Sequence, residues 1–510
     1  MSVLPPTLWW VMSVLRPRLV QVRDDELRRI LTEANPWWGA AATSGSKTAW
    51  MRNHRVLTAR ANFDLGYRND ILRDVATGPV TDALILLVGP RRVGKSVVIL
   101  DCIGELCGRA DIDPRQIIHV PCDGFRTQDL HRIITLGRAL TSSIDLQSPR
   151  PRLWFLDEVG TVRGWSAVLK RLRDQTIFGD DTVIATGSRW VSGEDVEGNL
   201  FAGRAGHAQG RRLRPVAPMT FREYFTVTSP GTLMFAKHQL QALQSPAARA
   251  DLEAVQFGID AYDLAWQAYL TSGGFPRAVS EYHRTGVVSS SFLQDLSASL
   301  RGEVDPESSP DSIPLLLELL HRRAANPFNM TNNAQELGFT RDKLNTRISR
   351  LIGSFAALKC PQMDDFGHEI PGSQPKLYLT DSILAWLPAK LRAGCKSPDF
   401  TTLSEMAIGV SLARGIDSVE QGRWASADTI GYERTTSGKE IDYSPVSIPT
   451  AAGTQKTIPI ESKWVDDGWK SESKPLFGKY GFGIMATKSI LDCSGPVWAV
   501  PAPLLAISLE

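Results

Sequence analysis

Four short apolar runs set the rhythm of the chain: Leu84 to Val88 (LILLV), Gln116 to Val120 (QIIHV), Leu153 to Leu156 (LWFL) and Thr182 to Thr186 (TVIAT). Continuous apolar runs of this length, separated by helical stretches, predict strands of a parallel sheet buried on both faces. An α/β layer is therefore expected from Gly78-Pro79 to about residue 215. Before it, Asp24 to Glu33 (DDELRRILTE) carries a helix cap and amphipathic helical spacing. After it, Phe221 to Ser309 reads as helical, broken at Ser272-Gly273-Gly274-Phe275-Pro276.

Farther on, the pattern changes again. Ile313 to His321, Asn332 to Leu337 and Arg341 to Leu351 give three helices, with Gly338-Phe339 at the turn between the last two. This is helix-turn-helix spacing, and Ala357 to Tyr378 supplies a hairpin for a wing. The third helix displays Arg341, Lys343, Arg347 and Arg350, which on a recognition helix would meet phosphates. A solvated charged face or a protein-binding module is the alternative. The last part opens with a helix (Ser404 to Arg414) and continues in short strands. Val304 to Ser312 and Gly394 to Asp399 read as linkers.

Composition narrows the classes. The chain has 510 residues, 43% hydrophobic and 22% charged, with Lys plus Arg at 57 against 55 for Asp plus Glu. These values exclude a disordered chain and a globally basic nucleic-acid binder, so any phosphate contact must be local. Six cysteines form no CxxC pair, which fits a reducing cytoplasm. Leu8 to Leu15 is apolar but less than half a membrane span, and it ends in Arg16-Pro17-Arg18. A soluble, cytoplasmic protein with no membrane partner is therefore expected.

The chemistry concentrates at Gly89-Pro90-Arg91-Arg92-Val93-Gly94-Lys95-Ser96, a G-x-x-x-x-G-K-[ST] sequence between a strand and a helix. Its backbone N–H groups and the following helix N-terminus would cradle phosphates. Lys95 would reach the β- and γ-phosphates, and the Ser96 hydroxyl would ligate Mg²⁺. The run Leu153 to Leu156 ends in Asp157-Glu158, placing two carboxylates at the sheet edge beside that loop. Asp157 is the expected metal ligand and Glu158 the general base. Thr186-Gly187-Ser188 closes the next strand, with Ser188 as the candidate γ-phosphate sensor. No guanine-type NKxD element comes after the loop, which favours ATP.

GPRRVGKS, LWFLDEVGTVRGWSAVLKRLRD, TVIATGSRW and RLRPVAPMTFREYF together resemble the AAA-type ATPase core of a large prokaryotic family, related to AAA+ and STAND ATPases. Its members carry a C-terminal domain long described only as of unknown function. YLTSGGFPRAV (Tyr269 to Val279) and KLYLTD (Lys376 to Asp381) extend the likeness over most of residues 80 to 510. The resemblance supports Lys95, Ser96, Asp157 and Glu158, and it makes Arg204, after Gly203, the arginine-finger candidate. Arg211 and Arg212 are rivals, and a solvated basic loop is the alternative for all three. Assembly into a homo-oligomer, one subunit completing another's site, is expected of this class.

Near the end, Asp442 within Glu440-Ile441-Asp442-Tyr443 precedes Glu461-Ser462-Lys463 by about twenty residues. Strand alternation puts Glu461 and Lys463 on one face. Asp442 and Glu461 would share a divalent metal, Lys463 would stabilise developing charge, and Glu405 on the preceding helix is a fourth member. This resembles the D…ExK core of the PD-(D/E)xK nuclease fold, as does the family's C-terminal domain. Pro459 requires that strand to be an edge or bulged.

The expected architecture is α/β: a helical N-terminal extension (1–80), a P-loop NTPase parallel-sheet core (81–220), a helical lid (221–310), a winged-helix domain (311–395) and a restriction-endonuclease-like domain (396–510). The leading functional expectation is an ATP- and Mg²⁺-dependent ATPase acting as a switch or motor, with DNA as the partner of its C-terminal modules. An ATP-regulated DNA nuclease of defence type and a non-catalytic, ATP-locked scaffold are the alternatives.

Overall fold

The computed structural model describes residues 22–40, 47–146, 149–175, 178–188, 212–229, 231, 235–420, 422–426 and 429–509. The apolar runs form strands β1 (Ala83–Val88), β2 (Ile117–Pro121), β3 (Leu153–Asp157) and β4 (Thr182–Gly187), joined by a fifth, β5 (Leu213–Pro215). All pair in parallel in the order β2-β3-β4-β1-β5. Every residue of β1 and β4 is buried, as a sheet covered on both faces requires. The register pairs Val88 with both Gly187 and Pro215, and Pro121 with Asp157. The ends of β1, β3 and β4 therefore share the carboxyl edge of the sheet, where α/β folds place ligands.

The N-terminal extension is structurally part of this core. Strand β2 is an edge, and an uncovered edge is a template for unwanted pairing. Here Trp37 and Trp38 both donate their indole N–H to the Ile117 carbonyl, at 3.0 and 2.9 Å. The Asn35 side chain donates to the His119 carbonyl (2.8 Å) and accepts from its N–H (2.6 Å), imitating a neighbouring strand. At the opposite edge, Arg214 of β5 is buried and makes a bidentate pair with Asp74 at 2.6 and 2.7 Å. That pair holds the helix Arg73–Thr77 against the sheet and keeps the Asp74 carboxyl below its ordinary range despite partial burial.

Helices Phe221–Thr228, Pro246–Ala254, Ile259–Ser272, Pro276–Thr285 and Ser290–Val304 come next. Three more, Ser312–Arg323, Met330–Glu336 and Arg341–Gly353, lead into the antiparallel strands β6 (Ala357–Cys360) and β7 (Lys376–Leu379). Beyond the helix Phe400–Val419 come two short antiparallel pairs, β8 (Glu433–Arg434) with β9 (Glu440–Ile441) and β10 (Ser447–Thr450) with β11 (Gly453–Lys456). A parallel sheet of β12 (Ile460–Ser462), β13 (Gly483–Thr487) and β14 (Val497–Pro501) completes the strands, with β12 at its edge. Pro459 falls just before β12, and its carbonyl accepts from the Ile484 N–H at 3.0 Å, so its missing donor disturbs no ladder. The final helix, Ala502–Leu509, is buried throughout and returns to the helix Phe221–Thr228, where Arg222 donates to the Ile507 carbonyl at 3.1 and 3.2 Å.

A buried joint ties the sheet layer to the helices beyond it. At the Ser272-to-Pro276 break, Gly273 has φ +69°, and a Cβ there would meet Asp381 Oδ1 at 1.9 Å. A Cβ on Gly274 would lie 2.2 Å from the Met219 carbonyl oxygen. The Met219 N–H donates to Gly274 O (2.7 Å), and the Gly274 N–H donates to Asp381 Oδ2 (2.8 Å). Asp381 Oδ1 also caps the helix Ser382–Leu391 by accepting from the Ile383 N–H at 2.9 Å. One fully buried carboxylate thus joins three segments.

Burial pushes the Asp381 carboxyl up to about 6 even against those two N–H donors. An acid with a raised folded-state value binds its proton more tightly in the native protein. Its contribution is therefore complete below the ordinary carboxylate range and is lost as pH rises through about 6. Asp381→Asn does not titrate, so its stability relative to the wild type is expected to improve between about pH 4 and 6, by at most about 3 kcal/mol. Urea unfolding of both proteins across that range checks this, and a pH-independent difference would contradict it.

Candidate functional site: a phosphate cradle and a buried carboxylate cluster

The loop after β1 is shaped by glycine where nothing else fits. A Cβ on Gly89 would lie 2.1 Å from the Val216 carbonyl oxygen, so the segment after β5 and the loop approach backbone to backbone. Gly94, at φ +103°, starts the helix Lys95–Gly108 and turns its first N–H groups toward the loop. Arg92 occupies the left-handed region at φ +70°, a strained choice for a side chain of its size. Lys95 is 5% exposed, and its Nζ donates to the carbonyls of Gly89 (2.9 Å) and Pro90 (3.1 Å). Burial lowers its affinity for the proton, with the carboxylates of Glu158, Glu303 and Asp157 opposing that only in part. This ammonium is held by neutral dipoles in a place that calls for an anion.

The acidic tip of β3 is fixed by β4. The Thr186 hydroxyl donates to Asp157 Oδ1 (2.8 Å) and accepts from the Glu158 N–H (2.7 Å). Burial alone would raise the Asp157 carboxyl, but the neighbouring His119, Ser96 and Thr186 hold it below its ordinary range. The His119 Nε2 lies 4.0 Å from Asp157 Oδ2. The Ser96 hydroxyl and the Asp157 carboxylate are therefore neighbours, a pair of hard oxygen donors of the kind Mg²⁺ takes. Glu158 sits at φ +55°, and its buried Oε2 has no hydrogen-bond partner among the described residues. A carboxylate oxygen left bare in this way is costly unless something absent from the protein completes it.

Ser188, also buried, faces the carboxylate of Glu303, which accepts from Arg91 Nε at 2.9 Å. Arg92 pairs with Asp295 at 3.3 Å, so both loop arginines are engaged by the helix Ser290–Val304. Glu303 is the residue that sequence pattern alone does not reveal, because more than two hundred positions separate it from the loop. A cleft of about 480 Å³ opens beside Lys95 and Ser96, walled by Phe63 and Tyr67 from the N-terminal segment and by Met219, Pro276 and Arg277. The guanidinium of Arg277 lies 4.8 Å from the centre of the Phe63 ring. Its apolar wall next to the cradle has the size and chemistry for a nucleobase. Arg204 and Arg211 lie outside the described residues, and Arg212 is exposed just before β5.

In the C-terminal region the structure brings together Glu405, Asp442, Glu461 and Lys463. Asp442 Oδ2 accepts from the Ser462 N–H (3.0 Å), Glu461 Oε2 accepts from the Asp442 N–H (3.1 Å), and Lys463 Nζ is 3.2 Å from Glu461 Oε1. A fifth member joins them: Lys376 of β7, 2.8 Å from Asp442 Oδ1 and 3.3 Å from Glu405 Oε1. Burial and the Asp442 charge push the Glu461 carboxyl up to about 8, while the Lys376 and Lys463 ammoniums hold Asp442 down. The third-helix cations of the preceding module fare differently from expectation. Arg347 is 4% exposed, ion-paired with Asp305 and stacked 4.1 Å from the Phe339 ring, and Arg350 donates to the Val304 carbonyl at 2.8 Å. These two serve the packing of that helix against Val304 and Asp305. Arg341 and Lys343 alone of the four stay exposed without such a bond to protein oxygen.

Residues 81–225 match the family model of an AAA domain. The match covers the five-stranded parallel sheet and the cradle, an arrangement consistent with a P-loop nucleotide-binding core, and at family level it implies ATP and usually Mg²⁺. Residues 263–392 match a second model, described as a domain of unknown function (DUF8612). An uncharacterized protein of Methanocaldococcus jannaschii is 32% identical over 147 residues, which are 28% of this chain and 28% of that protein. Among the described residues, no helix is long and apolar enough to cross a membrane.

Thr186 is the keystone of the acidic tip. Thr186→Val keeps the shape but removes the acceptor of a backbone N–H and a donor to Asp157, so a loss of about 1–3 kcal/mol is expected. Thermal or urea unfolding checks it; an unchanged midpoint would show that water replaces the hydroxyl without cost.

Proposed function

We propose that the chain is an ATP-binding, Mg²⁺-dependent ATP hydrolase that works as a conformational switch. The observation that carries this reading is Lys95, a buried ammonium that among the described residues hydrogen-bonds to loop carbonyls and is set against Asp157 and Glu158. In this reading Gly89 to Ser96 wrap the phosphates and Lys95 exchanges its carbonyl partners for phosphate oxygens. Ser96 and Asp157 would hold Mg²⁺, which neutralises phosphate charge when bound. Glu158 takes a proton from the attacking water at its bare Oε2, and Ser188 senses the γ-phosphate. Arg204, or its rivals Arg211 and Arg212, would complete the site from the same chain or a neighbouring copy. The nucleobase would occupy the cleft between Phe63, Tyr67 and Pro276.

Coupling runs through the helix Ser290–Val304. At its end Glu303 competes with phosphate for Arg91, and immediately beyond it Asp305 grips Arg347 of the next module. Two like charges a few ångströms apart at a half-buried site repel by about 2–4 kcal/mol, enough to bias a lid. We assign the segments accordingly: 81–220 the nucleotide core, 221–310 the lid, 311–395 a winged-helix module and 396–510 a nuclease-like region. Contact with DNA would fall to Arg341 and Lys343, the exposed cations of the third helix that make no hydrogen bond to protein oxygen among the described residues.

Calorimetry with ATP and Mg²⁺ is the test. Lys95→Ala is expected to lose nucleotide binding, whereas Glu158→Gln keeps it and loses turnover by about 10²–10⁴-fold. Unchanged hydrolysis in both variants would refute the site.

A further inference from the structure

The C-terminal carboxylate cluster is already filled, and it is filled by the protein. Lys376 projects from β7 with 2% of its side chain exposed, and its ammonium lies among Asp442 (2.8 Å), Glu405 (3.3 Å) and Glu440 (3.9 Å). The Tyr432 ring closes the remaining side, its centre 5.6 Å from Nζ. Several of the other oxygens are engaged as well, while Glu440 Oε2 is buried without a hydrogen bond from any described residue. The Tyr378 hydroxyl donates to Glu405 Oε1 (2.9 Å), the Ser462 N–H donates to Asp442 Oδ2, and Glu461 accepts from the Asp442 N–H and Lys463.

This arrangement does not fit a divalent metal in addition. A Mg²⁺ or Mn²⁺ ion needs several oxygens converging on one point about 2 Å away, and the point where Glu405 and Asp442 converge is the Lys376 ammonium. Among the described residues, no group of three or more His, Cys, Asp or Glu side chains is disposed to hold a metal. Charge leads to the same result. The four carboxylates of Glu405, Glu440, Asp442 and Glu461 face the ammoniums of Lys376 and Lys463 and, at Glu440, the guanidinium of Arg434 (3.5 Å), so a further double positive charge would overturn a balance that is nearly closed. The backbone that carries Lys376 is fixed as well, because β7 is paired with β6, Lys376 facing Cys360, and the Gln374 carbonyl accepts from the Tyr432 hydroxyl at 2.7 Å.

We infer that Lys376 is the resident cation of this site, an internal ammonium standing where a divalent metal would otherwise be held. The cluster then acts as a charged interlock that fastens the β6–β7 pair to the helix Phe400–Val419 and to β9 and β12. It takes up no Mg²⁺ or Mn²⁺ unless β7 withdraws. The inference is independent of the ATP reading, since it concerns other residues and is read without nucleotide.

Terbium luminescence on the full-length, nucleotide-free protein tests it, because Tyr378, Tyr432 and Tyr443 are placed to sensitise a lanthanide bound here. Wild type and Asp442→Asn are expected to give the same terbium signal, showing no uptake at the cluster. Lys376→Met, which keeps the stem and removes the charge, is expected to gain a signal with at least tenfold higher affinity, and Asp442→Asn in that background should abolish the gain. Mn²⁺ should compete with terbium for that new site. A wild-type signal that Asp442→Asn or Glu461→Gln removes would overturn the inference, as would a well-folded Lys376→Met protein with no gain. Should Lys376→Met not fold, the comparison of wild type with Asp442→Asn and Glu461→Gln decides alone: a difference refutes the resident cation, and identity supports it.

Discussion

An ammonium group taken out of water must be met by negative charge or by aligned dipoles, and this constraint organises both ends of the molecule. It is met in opposite ways. Among the described residues Lys95 hydrogen-bonds to the carbonyls of Gly89 and Pro90, and burial weakens its hold on its proton more than the carboxylates of Glu158, Glu303 and Asp157 restore it. Lys376 lies among carboxylates, which outweigh burial and strengthen that hold. The first lysine is thus short of an anion and suited to a ligand that comes and goes. The second is satisfied and belongs to the architecture. Two buried lysines in one chain make the distinction visible, because their surroundings and not their burial decide the role.

The same accounting explains why the segments form one continuous body. The core of buried apolar residues runs from Leu27 in the N-terminal segment to Leu509 in the final helix. Polar joints sit where the segments meet: Asn35 and the two tryptophans on the edge of β2, Asp381 beneath Gly274, and Arg222 on the Ile507 carbonyl. Each satisfies backbone groups that would otherwise be buried bare. A displacement at one joint must therefore be accommodated at others, which is the physical requirement for carrying a local event across a protein.

Much of the sheet was legible in the sequence, since fully buried parallel strands are continuous apolar runs and the loop and acidic tip are short local patterns. β5 escaped because it has only three residues with an arginine at the centre, and the pair with Asp74 together with the Ile71 carbonyl makes that arginine tolerable in the interior. Local pattern also misjudged Arg347 and Arg350. Helical spacing shows which residues share a face but not what covers it, and here Asp305 and Val304 do. Lys376 illustrates the same limit at longer range. Its partners Glu405 and Asp442 lie 29 and 66 positions away, and no periodicity connects them. The cluster of acids was readable, whereas the cation inside it depended on how β7 is registered.

The helix Ser290–Val304 shows how the two lysine sites can belong to one mechanism. Its carboxylates reach the phosphate loop through Arg91 and Arg92, and the residue after it anchors the third helix of the module that ends in β7. That strand carries Lys376 into the C-terminal cluster. An anion arriving at Lys95 must compete with Glu303 for the same arginine, and a carboxylate displaced from a buried ion pair needs a new partner or exposure to water. On the switch reading proposed above, either outcome would move the end of the helix, to which Asp305 and Arg347 are attached. Ion pairs thus carry the connection from the loop as far as Arg347, and the helix that bears it leads into β6, whose antiparallel partner β7 presents Lys376 to the cluster.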